Sequence, residues 1–106
     1  MPDLSSENVD QSRARIAETR EQIDQLDRAI AEMLASRVRY AHDIGRAKAA
    51  LGLPIYDATR EATIVSNVSG HLEALGLTPY EVPVLDIFRT LVLVCRHAQD
   101  DPTIHD

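Results

Sequence analysis

The chain has 106 residues, a formal net charge of −6, 44% hydrophobic residues, 4% aromatics and no tryptophan. This composition excludes a disordered polymer, argues against nucleic acid as a general partner, and fits one small domain with an aliphatic, helix-leaning core. The lone Cys95 leaves no internal disulfide, and no window reaches the ~18 consecutive apolar residues of a membrane span. The start, MPDLSSENVDQS, is polar and acidic, without the basic and apolar regions of a signal peptide. The expected location is therefore the cytoplasm, the usual setting for a chain without disulfides. No internal repeat or low-complexity segment is visible.

From Ser6 to about Leu51 there is no proline and one glycine, Gly45. Apolar residues recur at Ile16, Ile23, Leu26, Ile30, Met33, Leu34, Val38, Ala41, Ile44 and Ala47, mostly in steps of three, four or seven, which is the spacing of one helix face. Ser5 or Ser6 can cap the start. At the other end Gly52 suits the position just past a helix, and Pro54 cannot continue one. A helix of about 45 residues spans roughly 65 Å, whereas a compact chain of about 100 residues has a radius of gyration near 13 Å. Such a helix protrudes unless another chain covers it, and dimerisation is the simplest remedy.

A second helix is expected from Asp57 or Ala58 to Leu75, with Ile64, Val68, Leu72 and Leu75 as its apolar stripe and Gly76 as its end. The segment TPYE (78–81) has the form of a capping box, with Thr78 as the cap, Pro79 next and Glu81 at the third position. A third helix follows to about Gln99, its regular part expected only from Pro83, which disturbs a first turn. No β-sheet is expected. The fold class is all-α, three helices with a very long first one. The domain is expected over residues 13–100, with a flexible N-terminus at 1–12 and a flexible tail at 101–106.

Several polar residues share helix faces. Arg37 and Lys48 are 11 residues apart, which returns to within about 20° of the same direction at about 16 Å along the axis, with Ile44 between them. Two readings stand: two cations at the ends of a small anionic pocket with an apolar floor, or a solvated basic stripe whose stems lie along apolar surface. Arg20 lies 28 residues before Lys48, about 42 Å along a helix, so within one chain it cannot serve that pocket; it is a surface residue, or it reaches the pocket of an antiparallel partner. On the third helix Val92, Cys95 and Gln99 share a face with Arg96 beside it; a solvated glutamine and a buried, inert cysteine are the ordinary alternatives. Asp57 suits a helix cap. Arg60 opposes the helix dipole in a first turn, so it either answers an anion or is tolerated at the surface. There is no GxGxxG, Walker loop, CxxC pair or HExxH, and His42, His71, His97 and His105 form no metal-ligand grouping, so neither metal nor cofactor is expected.

Taken in order, the residues form a frame. R-x-x-I-D-x-L-D (Arg20–Asp27) is followed by an arginine ten residues after the second Asp (Arg37), then G-R-A-K (45–48), a P-x-x-D turn (54–57) and R-E (60–61). Over roughly residues 17–99 this resembles the all-helical chorismate mutase family, the AroQ class. The resemblance implies an intertwined homodimer and a small dianionic substrate rearranged from chorismate to prephenate, an isomerase reaction without covalent intermediate. It implies that Arg20 is donated by the partner subunit to the substrate's side-chain carboxylate and that Arg37 holds the other carboxylate. Lys48 would contact a carboxylate and the ether oxygen, and Gln99 the ether oxygen. Asp57, Glu61 and Arg60 would line the region of the C4 hydroxyl, with Ile44 and Val92 as apolar walls. Three features depart from the family pattern. Cys95 stands in place of a serine that lines the pocket, Arg96 in place of an apolar wall residue, and two extra residues, Pro83 among them, fall in the interval Thr78–Phe88. Sibling activities on the same scaffold, a 4-amino-4-deoxychorismate mutase or an isochorismate–pyruvate lyase, stay open, as does a non-catalytic helical dimer with a regulatory role. No second domain is visible, so the expected protein acts free or through a separate partner.

Overall fold

The computed structural model describes residues 6–104, with side chains from Asn8 onward. Ser5, the side chain of Ser6 and with them the expected cap, and also His105, lie outside what is described. Three α-helices follow one another: α1 (Ser6–Leu51), α2 (Ala58–Ala74) and α3 (Glu81–Ala98), with a short 3-10 turn over Thr78–Tyr80 before α3. Among the described residues there is no strand. The chain divides into two compact units, Met1–Ala35 and Ser36–Asp106.

In the first unit the described residues belong wholly to α1, an unbroken helix of 46 residues in all. The expected apolar stripe is present but uncovered: Ile16, Ile23, Leu26, Ile30, Met33 and Leu34 are all exposed. A helix face of this kind is stable only when something buries it, because propensity alone supplies little.

The second unit holds the core. Leu72 of α2 and Leu85, Val92, Cys95 and Ala98 of α3 are buried where α2 packs on α3. Its first helical segment, Ser36–Leu51, is fastened to the end of α3 at two points. His42 Nδ1 lies 3.0 Å from the carbonyl oxygen of Ala98 and donates to it. At Gly45 a Cβ atom would lie 1.8 Å from the carbonyl oxygen of Gln99, so only glycine permits this approach of helix to backbone. The end of α1 is a left-handed glycine cap: Gly52 has φ +69°, and the Leu53 amide returns to the Lys48 carbonyl at 2.9 Å.

Helix α2 starts as expected on Asp57, whose extended backbone (φ −128°, ψ 93°) and Oδ1, accepting from the Arg60 amide at 2.9 Å, make it the N-cap. It ends one residue short of the expected stripe. Leu75 is the C-cap and is exposed, while Leu72 is buried and Ile64 and Val68 half-buried. Gly76, with φ +74°, completes the stop.

The capping box expected at Thr78–Glu81 does not form. The residue before the 3-10 turn is Leu77, no side chain caps it, and Glu81 Oε1 instead accepts a hydrogen bond from Ser69 Oγ of α2. Tertiary pairing outcompetes the local cap, because the acid ties the start of α3 to the helix it packs on. Pro83 is no obstacle either: α3 begins at Glu81, and a proline in a first turn lacks only an amide that has no intrahelical partner there. Beyond α3 the chain makes a turn around Asp101, whose Oδ1 accepts from the Thr103 amide at 2.8 Å and its hydroxyl at 2.7 Å. These two bonds hold the Asp101 carboxyl below the usual carboxylate range.

Candidate functional site

The second unit carries a cleft of about 420 Å³ whose lining comes from three stretches of chain: the last turns of α1, the turn and opening of α2, and the last turns of α3. Nine of the ten residues singled out from the sequence line it: Arg37, Ile44, Lys48, Asp57, Arg60, Glu61, Val92, Cys95 and Gln99. The tenth, Arg20, does not. It borders a separate shallow depression in the first unit with Ser12, Arg15, Ile16 and Thr19.

The floor is apolar, with Val92 and Cys95 buried beneath it. Cys95 is a free thiol and packs there as a small hydrophobic group. Ile44 forms part of a wall and is half exposed, as is the α1 face around it. Tyr40, Ala41, Ile55 and Ile64 also line the cleft and were not singled out from the sequence. Tyr40 could have been found, because it is three residues after Arg37, four before Ile44 and eight before Lys48, on the same helix face.

Two polar groupings divide the cleft. In the first, Lys48 Nζ donates to Gln99 Oε1 at 2.7 Å and to the carbonyl oxygen of Ile55 at 2.7 Å. A lysine ammonium has three hydrogens and accepts nothing, so it fixes the orientation of the Gln99 amide: the oxygen faces Lys48 and the NH₂ group turns away. One hydrogen of Lys48 and the amide hydrogens of Gln99 are therefore available to an acceptor in the cleft.

The second grouping is acidic in sequence but neutralised in space. Arg96 Nε donates to Glu61 Oε2 at 2.8 Å and Nη2 to Oε1 at 2.5 Å, a two-point pairing of guanidinium and carboxylate. The guanidinium also lies over the Tyr56 ring, 4.4 Å from its centroid. The hydrogen bonds from Arg96 hold the Glu61 carboxyl below its ordinary range, against a desolvation penalty and with the charges of Arg96 and Lys48 assisting. The same pairing raises Arg96 further into the charged form. Asp57 contributes its carboxylate to the cleft while Oδ1 caps α2.

The cleft is cationic in an acidic chain. Arg37, Lys48, Arg60 and Arg96 give +4, Asp57 and Glu61 give −2, and the sum is +2. Low-dielectric walls focus such a field, and a small dianion is the ligand it suits. Among the described residues no group of His, Cys, Asp and Glu side chains could hold a metal ion, and no helix is long and apolar enough to cross a membrane.

Residues 19–100 match the model of a family described as chorismate mutase type II. The chain is 38% identical over 66 residues to the T-protein of Enterobacter agglomerans, a stretch that is 62% of this chain and 18% of that protein. It is 37% identical over 54 residues to a chorismate mutase of Methanocaldococcus jannaschii, 51% of this chain and 54% of that one. The match thus spans little more than half of one curated relative and a small part of the other. No solved structure matches the chain significantly. With 19–100 of its 106 residues under the family model, the chain belongs to the chorismate mutase type II family.

Proposed function

We propose that the chain is a chorismate mutase, an isomerase that converts chorismate to prephenate without a covalent intermediate. The observation that carries this reading is the Lys48–Gln99 pair, two oriented donors held together in a cleft of net charge +2. In the rearrangement the ether C–O bond of the substrate breaks as a C–C bond forms between the enolpyruvyl terminus and the ring, and the electrons move in one cycle. No proton is transferred and no nucleophile is required. The work of the protein is to fold the enolpyruvyl group over the ring and to stabilise charge developing on the ether oxygen.

The first task is positioning, which for well-oriented reactants is worth up to about 7–11 kcal/mol. Arg37 holds one carboxylate, where two-point geometry favours a guanidinium. Arg20 of the partner subunit holds the other. The second task falls to the free hydrogen of Lys48 and the amide of Gln99. A preorganised donor of this kind contributes about 3–4 kcal/mol in a dry site. Ile44, Val92 and Cys95 supply apolar wall and floor, and Asp57, Arg60 and Glu61 meet the ring substituent.

A homodimer follows from the same reading. The exposed stripe Ile16, Ile23, Leu26, Ile30 and Met33 supports it, since a second copy would bury this face. The dimer would bring Arg20 of one copy to the cleft of the other. The working domain is residues 13–100, the substrate is a small dianion, and no cofactor, nucleic acid or membrane takes part. The cytoplasm is the compartment, in keeping with the single unpaired Cys95.

The test is a parallel assay of purified protein with chorismate, isochorismate and 4-amino-4-deoxychorismate. Prephenate formed from chorismate as the fastest reaction is the expected result. Faster turnover of either sibling substrate reassigns the enzyme, and no turnover of the three leaves a non-catalytic helical dimer as the better account.

A further inference from the structure

We propose that Arg96 is a specificity-determining residue: by occupying both oxygens of Glu61 it makes the acidic end of the cleft electrically neutral, so that the site accepts a ring bearing a hydroxyl and rejects the analogue bearing an ammonium. The proposal deepens the mutase reading above and rests on it.

The argument begins with the chemistry of the two ring substituents. An ammonium group is a donor only, and leaving water costs it heavily unless a carboxylate takes it up. A hydroxyl is both donor and acceptor and needs no counter-charge. In sequence Asp57 and Glu61 offer two carboxylates to that corner, which suits either substituent. In space Glu61 has both oxygens engaged by Arg96 Nε and Nη2, and the guanidinium also lies over the Tyr56 ring. Asp57 has Oδ1 engaged by the Arg60 amide.

The charges in that corner are Asp57 and Glu61 against Arg60 and Arg96, which cancel. An ammonium entering there would displace Arg96 from Glu61, or sit beside two cations with one carboxylate oxygen of Asp57 as its counter-ion. A hydroxyl can donate to that same oxygen and accept from one of the guanidinium hydrogens that Glu61 does not use. The lowered position of the Glu61 carboxyl is consistent with an acid already committed to a cation.

The experiment compares wild type with Arg96→Met, which keeps the length of the stem and removes the charge. Turnover (kcat/KM) and calorimetric binding are measured with chorismate and 4-amino-4-deoxychorismate on both proteins. The variant cleft loses one positive charge and holds the carboxylates of both substrates more weakly, so the ratio between the two substrates, rather than either value alone, is the readout. The expected result is a wild type that favours the hydroxyl substrate and a variant whose ratio moves at least about tenfold toward the ammonium substrate, the scale of one exchanged charge contact in a partly buried site. A ratio within about twofold of wild type, or a wild type that prefers the ammonium substrate, overturns the proposal.

Should Arg96→Met not fold, Arg96→Gln serves in its place with the same expectation, and folding is checked by circular dichroism. Binding separates the two levels of argument. A protein that turns over neither substrate but whose binding ratio still shifts loses the mutase reading and keeps this one. A protein that turns over chorismate with an unmoved ratio keeps the mutase reading and loses this one. Binding of neither substrate defeats both.

Discussion

Lys48 and Gln99, 51 residues apart, meet at 2.7 Å through ammonium and amide oxygen. The bond lies where three separate stretches of chain converge. Lys48 occupies the last turn of α1, Gln99 caps α3, and the carbonyl of Ile55 receives a second hydrogen from the same ammonium. Neither side chain is aimed by its own helix alone. Each is held by the other, and both keep hydrogens for an acceptor between them.

Replacing the ammonium should therefore remove catalysis without removing the fold. Lys48→Ala is expected to lower kcat/KM by about 10²–10³-fold, the scale for losing one preorganised donor at a developing oxyanion. Helical circular dichroism should change little. Arg20→Ala should be similarly inactive. An equal mixture of the two refolded together should regain about a quarter of wild-type activity, because each mixed dimer of a two-fold assembly rebuilds one intact site. A mixture as inactive as its components would mean that Arg20 does not act across subunits.

Gln99→Glu turns a fixed donor into a titratable one. At neutral pH the new carboxylate faces Lys48 as an anion and repels the charge that grows on the ether oxygen. Once protonated it donates. The expected outcome is a kcat/KM that climbs as the pH is lowered below neutrality, measured against a wild type that is flat over the same range. A flat profile in the variant would remove Gln99 from the ether oxygen.

Glu61 gives a stability test. Its folded carboxyl lies below the ordinary value of 4.5 because Arg96 donates to it. A depressed acid stabilises the fold above its unfolded value, and that contribution disappears as the pH falls through the folded one. Glu61→Gln should accordingly lower Tm at pH 7, and the gap from wild type should close on acidification below about 4.5. A gap that stays constant with pH would show that the ion pair contributes no net stability.

Gly45→Ala should run against the usual rule. Alanine in a helix interior ordinarily stabilises by roughly 1 kcal/mol relative to glycine. Here the added methyl meets backbone: Cβ would lie 1.8 Å from the Gln99 carbonyl oxygen and 2.4 Å from its carbon, and neither can rotate away. Separating α1 from the end of α3 should cost at least about 1–3 kcal/mol, seen as a lower Tm, and should also loosen the Lys48–Gln99 bond. An unchanged or raised Tm would contradict the close approach.

Much of this was legible in the sequence because it depends on local rules. Periodicity marks α1 and α2, the Asp57 cap has the chemistry of a helix start, and the 11-residue interval brings Arg37 and Lys48 onto one face around Ile44. Tyr40 follows from the same periodicity. What the sequence does not disclose is the choice among partners. Glu81 had a local role as a capping acid and took a tertiary one with Ser69 instead. Arg96 stood out as a charge on an expected wall, yet nothing along the chain says that it spends that charge on Glu61, 35 residues away. The need for glycine at position 45 likewise appears only once the Gln99 backbone is beside it.

All residues lining the cleft fall within 37–48, 55–64 and 92–99, and none between 65 and 91. The bend that joins α2 to α3, residues 75–80, therefore contributes nothing to the cleft, and a change in its length leaves the lining segments untouched. Pro83, in the first turn of α3, flanks that bend and also lies clear of the cleft lining, so an insertion in the bend leaves the lining segments in place. A grafted loop or affinity tag would be best carried there.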